Sequence, residues 1–220
     1  MINEDSSSKP KEGRPSPVPG YTGKPITLRL DRLTIKAQRA TYTARFEPNT
    51  VALLLQTVVV PGDTTSEGQI IEAVALPWFD IIELLIRDPS MMYRIKPRKW
   101  EEIIAGVYWR AGFDEVTLTP SSGDHGRDVI AVKRGVGSVR VIDQVKAHKP
   151  GHVVKGNAVR ALLGVLEGDR ASNGFLTTTS DFAPQLRDDP LIKPFIPAKL
   201  ELVNGEMLLA RLKELAKNRP

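Results

Sequence analysis

An aspartate and a glutamine–lysine pair lie in two neighbouring apolar segments of this chain. Asp128 precedes the apolar run VIAV, and Gln144 and Lys146 lie near the end of VRVIDQVK. Side chains alternate between faces along a strand, so Gln144 and Lys146 share one face while Asp143 points to the other. Carboxylate and amide oxygens are hard ligands suited to Mg²⁺, and an ammonium beside them can activate a water or stabilise developing negative charge. These are the groups needed to hydrolyse a phosphodiester.

The turn GVGS between the two apolar segments is short enough to return the chain as an antiparallel neighbour. Such a hairpin can place Asp128 beside Gln144 and Lys146. The preceding loop carries Asp124, which either shapes the loop through an Asx turn or reaches the metal, and both readings stay open. Taken alone, Asp128 would cap a turn about as often as bind a metal, because Gly-Asp loops are common. The combination with Gln144 and Lys146 favours a site.

The surrounding elements alternate between helical and strand patterns. In PRKWEEIIAGVYWRAGF, apolar residues recur at helical spacing from Trp100, with Pro97 suited to a first turn and Gly112 to a stop. Strands are predicted at EVTLT, VIAV, VRVIDQVK, FLTTT and KLELV, a second helix over 153–167, and a closing helix after a turn at Asn204-Gly205. This interleaving indicates an α/β fold with a central mixed sheet covered on both faces.

The N-terminal third divides into a tail and a small region. Residues 1–24 are rich in Ser, Pro, Lys and Glu, and we expect a disordered tail there. Alternating patterns over 26–35 and 41–46, and an apolar run over 51–60 that ends at the turn signal PGDTT, indicate strand content within 26–75. FDIIELLI over 79–86 has a helical period. We therefore expect a small N-terminal region of unknown role over 25–87, followed by the main domain over 88–220.

Composition bounds the function classes. The chain has 220 residues, of which 41% are hydrophobic, enough to build a core. It has no cysteine, which excludes disulfides, Cys-ligated metals and a thiol nucleophile. A net charge of +5 is compatible with a polyanionic partner. The N-terminus lacks an apolar signal segment and no run of about 18 apolar residues occurs, so we expect a cytoplasmic protein with no membrane partner.

Several segments together resemble the catalytic domain of Mrr-type restriction endonucleases, a branch of the PD-(D/E)xK nuclease superfamily. The resemblance covers roughly residues 88–215, and it rests on segments that occur in the family's own order: PRKWEEIIAGVYWRAGF, SSGDHGRDVIAV, VIDQVK, VRALLGVLEG, GFLTTTSDFAP and LELVNGEMLLARL. It implies a restriction-endonuclease-like core, a central mixed sheet flanked by helices. It also implies Mg²⁺-dependent DNA cleavage, with Mn²⁺ able to substitute, and in many relatives action on modified or foreign DNA.

The resemblance assigns the site residue by residue. The family's helix glutamate after an aromatic is Glu101, its aspartate after the Gly-Asp loop is Asp128, and its Q-x-K is Gln144 and Lys146. By this resemblance Asp128 and Gln144 are the metal ligands, Lys146 positions or activates water, and Glu101 contacts the metal through water. Glutamine in place of the glutamate found elsewhere in the superfamily removes one negative charge from the metal site.

The flanking sequence departs from the family at positions near the site. His125 stands where relatives usually have Gly, and Ala147 and His148 stand where they have an Arg-Tyr pair, so contacts with substrate differ there. The residues nominated for DNA contact are His125, His148, Lys149 and Lys155, with Lys133, Arg134 and Arg160 as further cations that could line a DNA channel. Ordinary solvated surface positions are the alternative reading for each of them.

Three functions remain open from the sequence. The first is a Mg²⁺-dependent DNA endonuclease of restriction type. The second is a structure-selective nuclease of repair or recombination, because the same fold serves both. The third is a DNA-binding protein that keeps the fold without cleaving. Cleavage of both DNA strands needs two sites, which leaves a homodimer open, although no heptad pattern or apolar stripe indicates one.

Overall fold

The computed structural model describes residues 50–123 and 126–217, which belong to one compact unit built on a seven-stranded sheet. The strands are β1 (Val59–Thr64), β2 (Gln69–Val74), β3 (Glu115–Leu118), β4 (Val129–Arg134), β5 (Ser138–Lys146), β6 (Asn173–Thr178) and β7 (Leu200–Val203). Their order in the sheet is the order in the chain. Strands β1 to β5 are antiparallel neighbours, whereas β5, β6 and β7 are parallel. The predicted central mixed sheet is confirmed.

Five α-helices accompany the sheet in the described residues. They are α1 (Thr50–Leu55), α2 (Leu76–Arg87), α3 (Pro97–Arg110), α4 (Gly156–Gly168) and α5 (Gly205–Ala216). Short 3₁₀ turns lie at Pro89–Tyr93, Leu186–Asp188 and Lys193–Phe195. Helix α4 is the crossover that a parallel β5–β6 pair requires. No helix in the described part of the chain has the length and apolarity to cross a membrane.

An apolar cluster covers each face of the sheet. Helices α2, α3 and α5 pack on one face, where Trp78 and Trp100 are fully buried. Helix α4 packs on the other face through Val159, Leu162 and Leu166. The alternation of side chains along β5 assigns its residues to these clusters in turn, because Val141 and Val145 belong to the first and Ile142 to the second.

Helix α3 forms as its sequence predicts. Pro97 occupies the first turn, where the missing N–H costs nothing. Gly112 follows the last turn with φ of +81°, a left-handed conformation that glycine adopts without steric cost. The helix buries its apolar stripe, and Glu101 lies half-buried in its N-terminal part.

Two predicted turns were wrong. The segment PGDT was predicted to turn, but β1 runs through it to Thr64, with register shifts on both sides of Pro61. Because β1 is an edge strand, a residue without an N–H is tolerated there. The predicted Asn204-Gly205 turn is instead the start of α5, where the Asn204 side chain accepts a hydrogen bond from the Met207 N–H at 3.0 Å.

Helix α4 begins later than predicted. Val154 was expected on the helix, but it lies before it, buried, and forms an isolated parallel bridge with Phe182.

Residues 1–24 and the strands expected over 26–46 lie outside the described residues. β1 and β2, from the expected 25–87 region, extend the sheet next to β3. The division of the chain at residues 24 and 87 stays a prediction.

Candidate active site

Three of the predicted site residues, Asp128, Gln144 and Lys146, lie where the three parallel strands end. In the β4–β5 ladder Val129 lies opposite Asp143, which places Asp128 beside Gln144. Lys146 is the last residue of β5 and shares the Gln144 face. Ligands of open α/β sheets commonly bind at the carboxyl ends of parallel strands. The structure therefore brings Asp128, Gln144 and Lys146 together on one face at this edge.

The Asp128 carboxylate is held by the backbone of the neighbouring strand. Its Oδ2 accepts a hydrogen bond from the Val145 N–H at 2.6 Å, and its own N–H donates to the Asp143 carbonyl at 3.1 Å. Only 8% of the residue is exposed. These bonds fix the direction of the carboxyl group, because both partners belong to the sheet.

Gln144 carries a buried acceptor that no described residue uses. Within residues 50–123 and 126–217 its Oε1 has no hydrogen-bond partner, although the residue is only 8% exposed. Gly126 lies against the amide, and a Cβ added there would stand 2.8 Å from the Gln144 Nε2. An unpaired buried amide oxygen costs about 1–3 kcal/mol. A cation ligated by this oxygen would remove that cost.

Lys146 lies half-buried at the end of β5, and its backbone is tied to β6. Its carbonyl accepts from the Thr178 hydroxyl at 2.8 Å and from the Thr179 N–H at 3.3 Å. Within the described residues its ammonium group takes part in no ion pair. The Thr177 hydroxyl donates to Asp143 at 3.0 Å, so the hydroxyls of this threonine run serve the protein itself.

Glu101 joins the site through an arginine that the sequence did not single out. Arg98 Nη1 donates to Glu101 Oε2 at 2.6 Å and to the Thr119 carbonyl at 2.7 Å. The Thr119 N–H in turn donates to the Asp128 carbonyl at 3.1 Å. Arg98 therefore connects the N-terminal turn of α3 to the backbone of Asp128. Its i, i+3 spacing from Glu101 is the only local signal of this role.

A second group missed by the sequence lies on the opposite face of β5. Asp143 is 3% exposed, and its Oδ2 accepts hydrogen bonds from the Tyr108 hydroxyl at 2.9 Å and the Thr177 hydroxyl at 3.0 Å. Burial raises its pKa to about 7, against the lowering effect of these two bonds. Burial and the neighbouring Asp143 raise the pKa of Tyr108 as well. Strand alternation predicts the face but not the partners, which lie 35 and 34 residues away.

An ion-pair network holds the loop that leads to Asp128. Arg127 pairs with Asp169 at 3.0 Å, and Asp169 also pairs with Arg140 at 2.7 Å. Arg140 extends to Glu67, in the turn between β1 and β2, at 2.6 Å. The network links the residue before Asp128 to the end of α4 and to the β1–β2 turn.

The donor set fits a hard divalent cation. Asp128 offers a carboxylate and Gln144 an unpaired oxygen, the ligand types that Mg²⁺ uses while it keeps several waters. Among residues 50–123 and 126–217, no three His, Asp or Glu side chains cluster as a metal site of their own. Asp124 and His125, the predicted loop contacts, lie outside the described residues. The nominated DNA contacts His148, Lys149 and Lys155 line a pocket immediately beyond Lys146.

Comparisons with solved structures give two partial likenesses. One is the "DNA modification-dependent restriction endonuclease AspBHI", with 19% identity and a TM-score of 0.46 over 64% of this chain and 36% of that one. Another is "MspJI Restriction Endonuclease in Complex with 27-mer Oligonucleotide", with 20% identity and a TM-score of 0.40 over 64% of this chain and 31% of that one. This chain thus spans about a third of the length of each. No curated protein matches it.

The family comparison covers more than half of the chain. The profile of Mrr_cat, described as a restriction endonuclease, matches residues 92–212. This range contains Glu101, Asp128, Gln144 and Lys146, and it runs from the 3₁₀ turn before α3 into α5. The chain belongs to the Mrr-type restriction endonuclease catalytic-domain family.

Proposed function

We propose that this chain is a divalent-metal-dependent DNA endonuclease of restriction type, acting on modified or foreign DNA. The observation that carries the proposal is the arrangement at the carboxyl end of β5. There the Asp128 carboxylate lies beside the unpaired oxygen of Gln144, and Lys146 shares their face. A carboxylate, an amide oxygen and an ammonium that lie together at the end of a strand are suited to binding and hydrolysing a phosphodiester.

Asp128 and Gln144 are the residues that would hold Mg²⁺, with Mn²⁺ able to substitute. The fit rests on the buried Gln144 oxygen without a partner and on the carboxylate that the Val145 N–H orients. A bound divalent ion supplies Lewis-acid stabilisation of the negative charge that develops on the phosphoryl group. With one carboxylate and one neutral amide as protein ligands, the site would bind the ion less tightly than a pair of carboxylates.

Lys146 and Glu101 act on the water and the phosphate. The Lys146 ammonium would hold the attacking water in line with the phosphorus, or donate to a phosphoryl oxygen as charge accumulates there. Glu101, which Arg98 holds toward the strand that carries Asp128, would accept a hydrogen bond from a water of the site. In this reaction water attacks phosphorus and the bond to the 3′ oxygen breaks, which leaves a 5′-phosphate.

The test is cleavage of methylated and unmethylated plasmid by the purified protein in Mg²⁺, Mn²⁺ or EDTA. We expect nicking or linearisation that requires the metal and falls by about 10²- to 10⁴-fold in Asp128→Ala and in Lys146→Ala. Lys213→Ala, at an exposed position of α5, is the matched control and should cleave like the wild type. The two plasmid forms report whether base modification directs cleavage.

The alternatives predict different outcomes of the same assay. A folded wild-type protein that binds DNA but cleaves no substrate in either metal would be a binding protein on this fold. Cleavage confined to a four-way junction or a flap, with intact duplex plasmid, would indicate a structure-selective nuclease.

We further propose that double-strand cleavage uses a homodimer. Sedimentation of the protein with and without duplex DNA measures its oligomeric state.

The same proposal places the protein in the cytoplasm. Restriction of incoming DNA requires access to that DNA, and the chain has no cysteine that would call for an oxidising compartment. Fractionation of cells that express the full chain tests this location.

A further inference from the structure

A basic pocket begins one residue beyond Lys146. It has a volume of about 430 Å³ and is formed by the segment 147–155, with His148, Lys149, His152 and Lys155 in its lining. None of the described residues that line it is acidic. We call it the 147–155 pocket. Its composition suits an anion, since the ionisable side chains that line it are those of two lysines and two histidines.

The two lysines of this pocket differ from the other cations that the sequence nominated. Lys133 contacts Asp114 and the Gly112 carbonyl, and Arg134 pairs with Glu115, at the far end of β4. Arg160 pairs with Asp189 at 3.1 Å.

In contrast, within the part of the chain that the structure describes, neither Lys149 nor Lys155 forms a salt bridge. Both are exposed. An ammonium that no carboxylate neutralises keeps its full charge for a ligand.

The pocket is held in shape by hydrogen bonds at both ends. The His148 N–H donates to the Thr179 hydroxyl at 2.8 Å, and that hydroxyl donates to the His148 carbonyl at 2.7 Å. The Val154 N–H donates to the Asp181 carbonyl at 2.8 Å, and the Val154 carbonyl accepts from the Ala183 N–H at 3.0 Å. The segment is therefore ordered before any ligand arrives, which lowers the entropic cost of binding.

The His148 ring is also oriented. Its Nδ1 lies 3.1 Å from the His152 carbonyl, which can only accept, so Nδ1 carries the proton that it donates. Nε2 is then the ring nitrogen left for a ligand. The His152 N–H donates to the Lys149 carbonyl at 3.1 Å, so the tight turn at residues 149–152 sets the position of the His152 carbonyl.

The pocket lies within a few nucleotides of the proposed cleavage position. Lys149 lies three positions after Lys146, and an extended chain covers at most about 10 Å over three residue steps. One strand of DNA carries a phosphate about every 3.4 Å along the helix axis. A phosphodiester that neighbours the reacting one therefore falls within reach of Lys149.

We propose that the 147–155 pocket binds one phosphodiester group of DNA close to the one being hydrolysed, through Lys149, Lys155 and the Nε2 edge of His148. The proposal rests on the proposed nuclease function and adds to it the residues that set the position of the DNA backbone relative to Lys146. Contacts to phosphate fix register and orientation and carry no direct sequence information.

The first test measures binding of a 30-base-pair duplex in EDTA, by fluorescence anisotropy, at several NaCl concentrations. A lost phosphate contact lowers the slope of log K against log[salt] by about 0.9. We expect that decrease, with weaker binding, for the double variant Lys149→Gln/Lys155→Gln. The matched control Lys193→Gln/Lys213→Gln removes the same charge from exposed positions and should keep the wild-type slope. Equal slopes in the two double variants would overturn the proposal.

The second test follows the imidazole signals by NMR, which is feasible because the chain has three histidines. We expect the duplex to shift the His148 signal in the wild type and not in Lys149→Gln/Lys155→Gln. A His148 shift with inorganic phosphate but none with the duplex would show a free-anion site and overturn the DNA assignment. Circular dichroism of each variant establishes that it is folded.

The two tests separate this proposal from the nuclease proposal. If the duplex shifts the His148 signal and the salt slope falls as predicted, but the protein cleaves no DNA, the pocket proposal stands and the nuclease proposal fails. If the protein cleaves plasmid in a metal-dependent way, but the double lysine variant keeps the wild-type salt slope, the nuclease proposal stands and the pocket proposal fails.

Discussion

Strand β5 presents a polar side chain to apolar surroundings on each of its faces, and the two side chains have different neighbours. On the face toward α4, Gln144 has a buried oxygen without a partner among the described residues, and Asp128 and Lys146 lie beside it. On the face toward α3 and α5, Asp143 accepts two hydroxyl hydrogen bonds beside an apolar cavity of about 440 Å³. Among the described residues each face leaves one buried oxygen unpaired, Gln144 Oε1 on the first and Asp143 Oδ1 on the second. The difference is that two hydroxyl donors hold the other oxygen of Asp143, whereas Gln144 lies beside a carboxylate and an ammonium.

The difference indicates which polar group serves chemistry. A buried group held by hydroxyls, with its charge suppressed by a raised pKa, strengthens the contact between β5, β6 and α3. The unpaired Gln144 oxygen lies beside a carboxylate and an ammonium, and a bound cation would remove the cost of leaving it unpaired. Adjacent residues of one strand therefore have separate tasks because the strand alternates its faces.

The largest expected effect concerns the free energy of unfolding and Asp143. Its pKa is about 7 in the folded protein against 3.8 as a free side chain, so the folded state binds this proton more tightly. The stability it contributes is present below pH 3.8 and is lost as the pH rises to about 7. The loss amounts to about 4 kcal/mol. Asp143→Asn keeps an oxygen for the two hydroxyls and should remove this pH dependence.

Urea unfolding in EDTA at pH 4 and pH 8 measures the Asp143 effect, with wild type and variant side by side so that other titrating groups cancel. Plasmid cleavage by Asp143→Asn should stay near the wild-type rate. An Asn variant with the same pH dependence as the wild type would contradict the structural role.

Replacing Gln144 should show the opposite pattern. Gln144→Leu removes the unpaired oxygen and keeps an apolar body, so its thermal stability should equal or exceed that of the wild type. Plasmid cleavage should fall by about 100-fold if Gln144 is the metal ligand that we propose. Gln144→Glu keeps an oxygen ligand and should retain cleavage. A Leu variant that cleaves normally would remove Gln144 from the site.

Alanine substitutions of two glycines in the loop before Asp128 distinguish the effect of backbone strain from the effect of displacing a side chain. Gly126 and Gly123 have φ of +81° and +75°, but a Cβ meets Gln144 only at Gly126. Both alanine variants should lose about 1 kcal/mol of stability from the left-handed conformation. Only Gly126→Ala should also lose cleavage, by about 30-fold, because it displaces the Gln144 amide. Equal cleavage rates in the two variants would show that the position of this amide has no role.

The smallest expected difference in cleavage rate is between variants of two neighbouring glutamates of α3. Glu101 pairs with Arg98 and Glu102 with Lys99, each at i, i+3 spacing. Only Arg98 also contacts the strand end that adjoins Asp128. Initial rates of plasmid cleavage should fall about tenfold in Glu101→Gln and change less than about twofold in Glu102→Gln. If the two variants matched, Glu101 would be an ordinary helix-surface residue.

The sequence alone predicted much of the fold and the face of each β5 residue. Periodicity placed α3 and its ends, and a short turn predicted the antiparallel β4–β5 hairpin that the register confirms. These features are local, so residue types within a few positions determine them. The assignment of Glu101, Asp128, Gln144 and Lys146 came from the order of motifs along more than 100 residues, and their catalytic roles stay predictions.

Tertiary structure alone decided how distant residues are paired. The Tyr108 and Thr177 hydroxyls find Asp143 from 35 and 34 residues away, and Glu67 finds Arg140 from 73 residues away. It also decided that Lys133, Arg134 and Arg160 pair with nearby acids. Polar groups in a sequence carry no local mark of their partners, because hydrogen bonds and ion pairs depend on distances that only the folded chain sets.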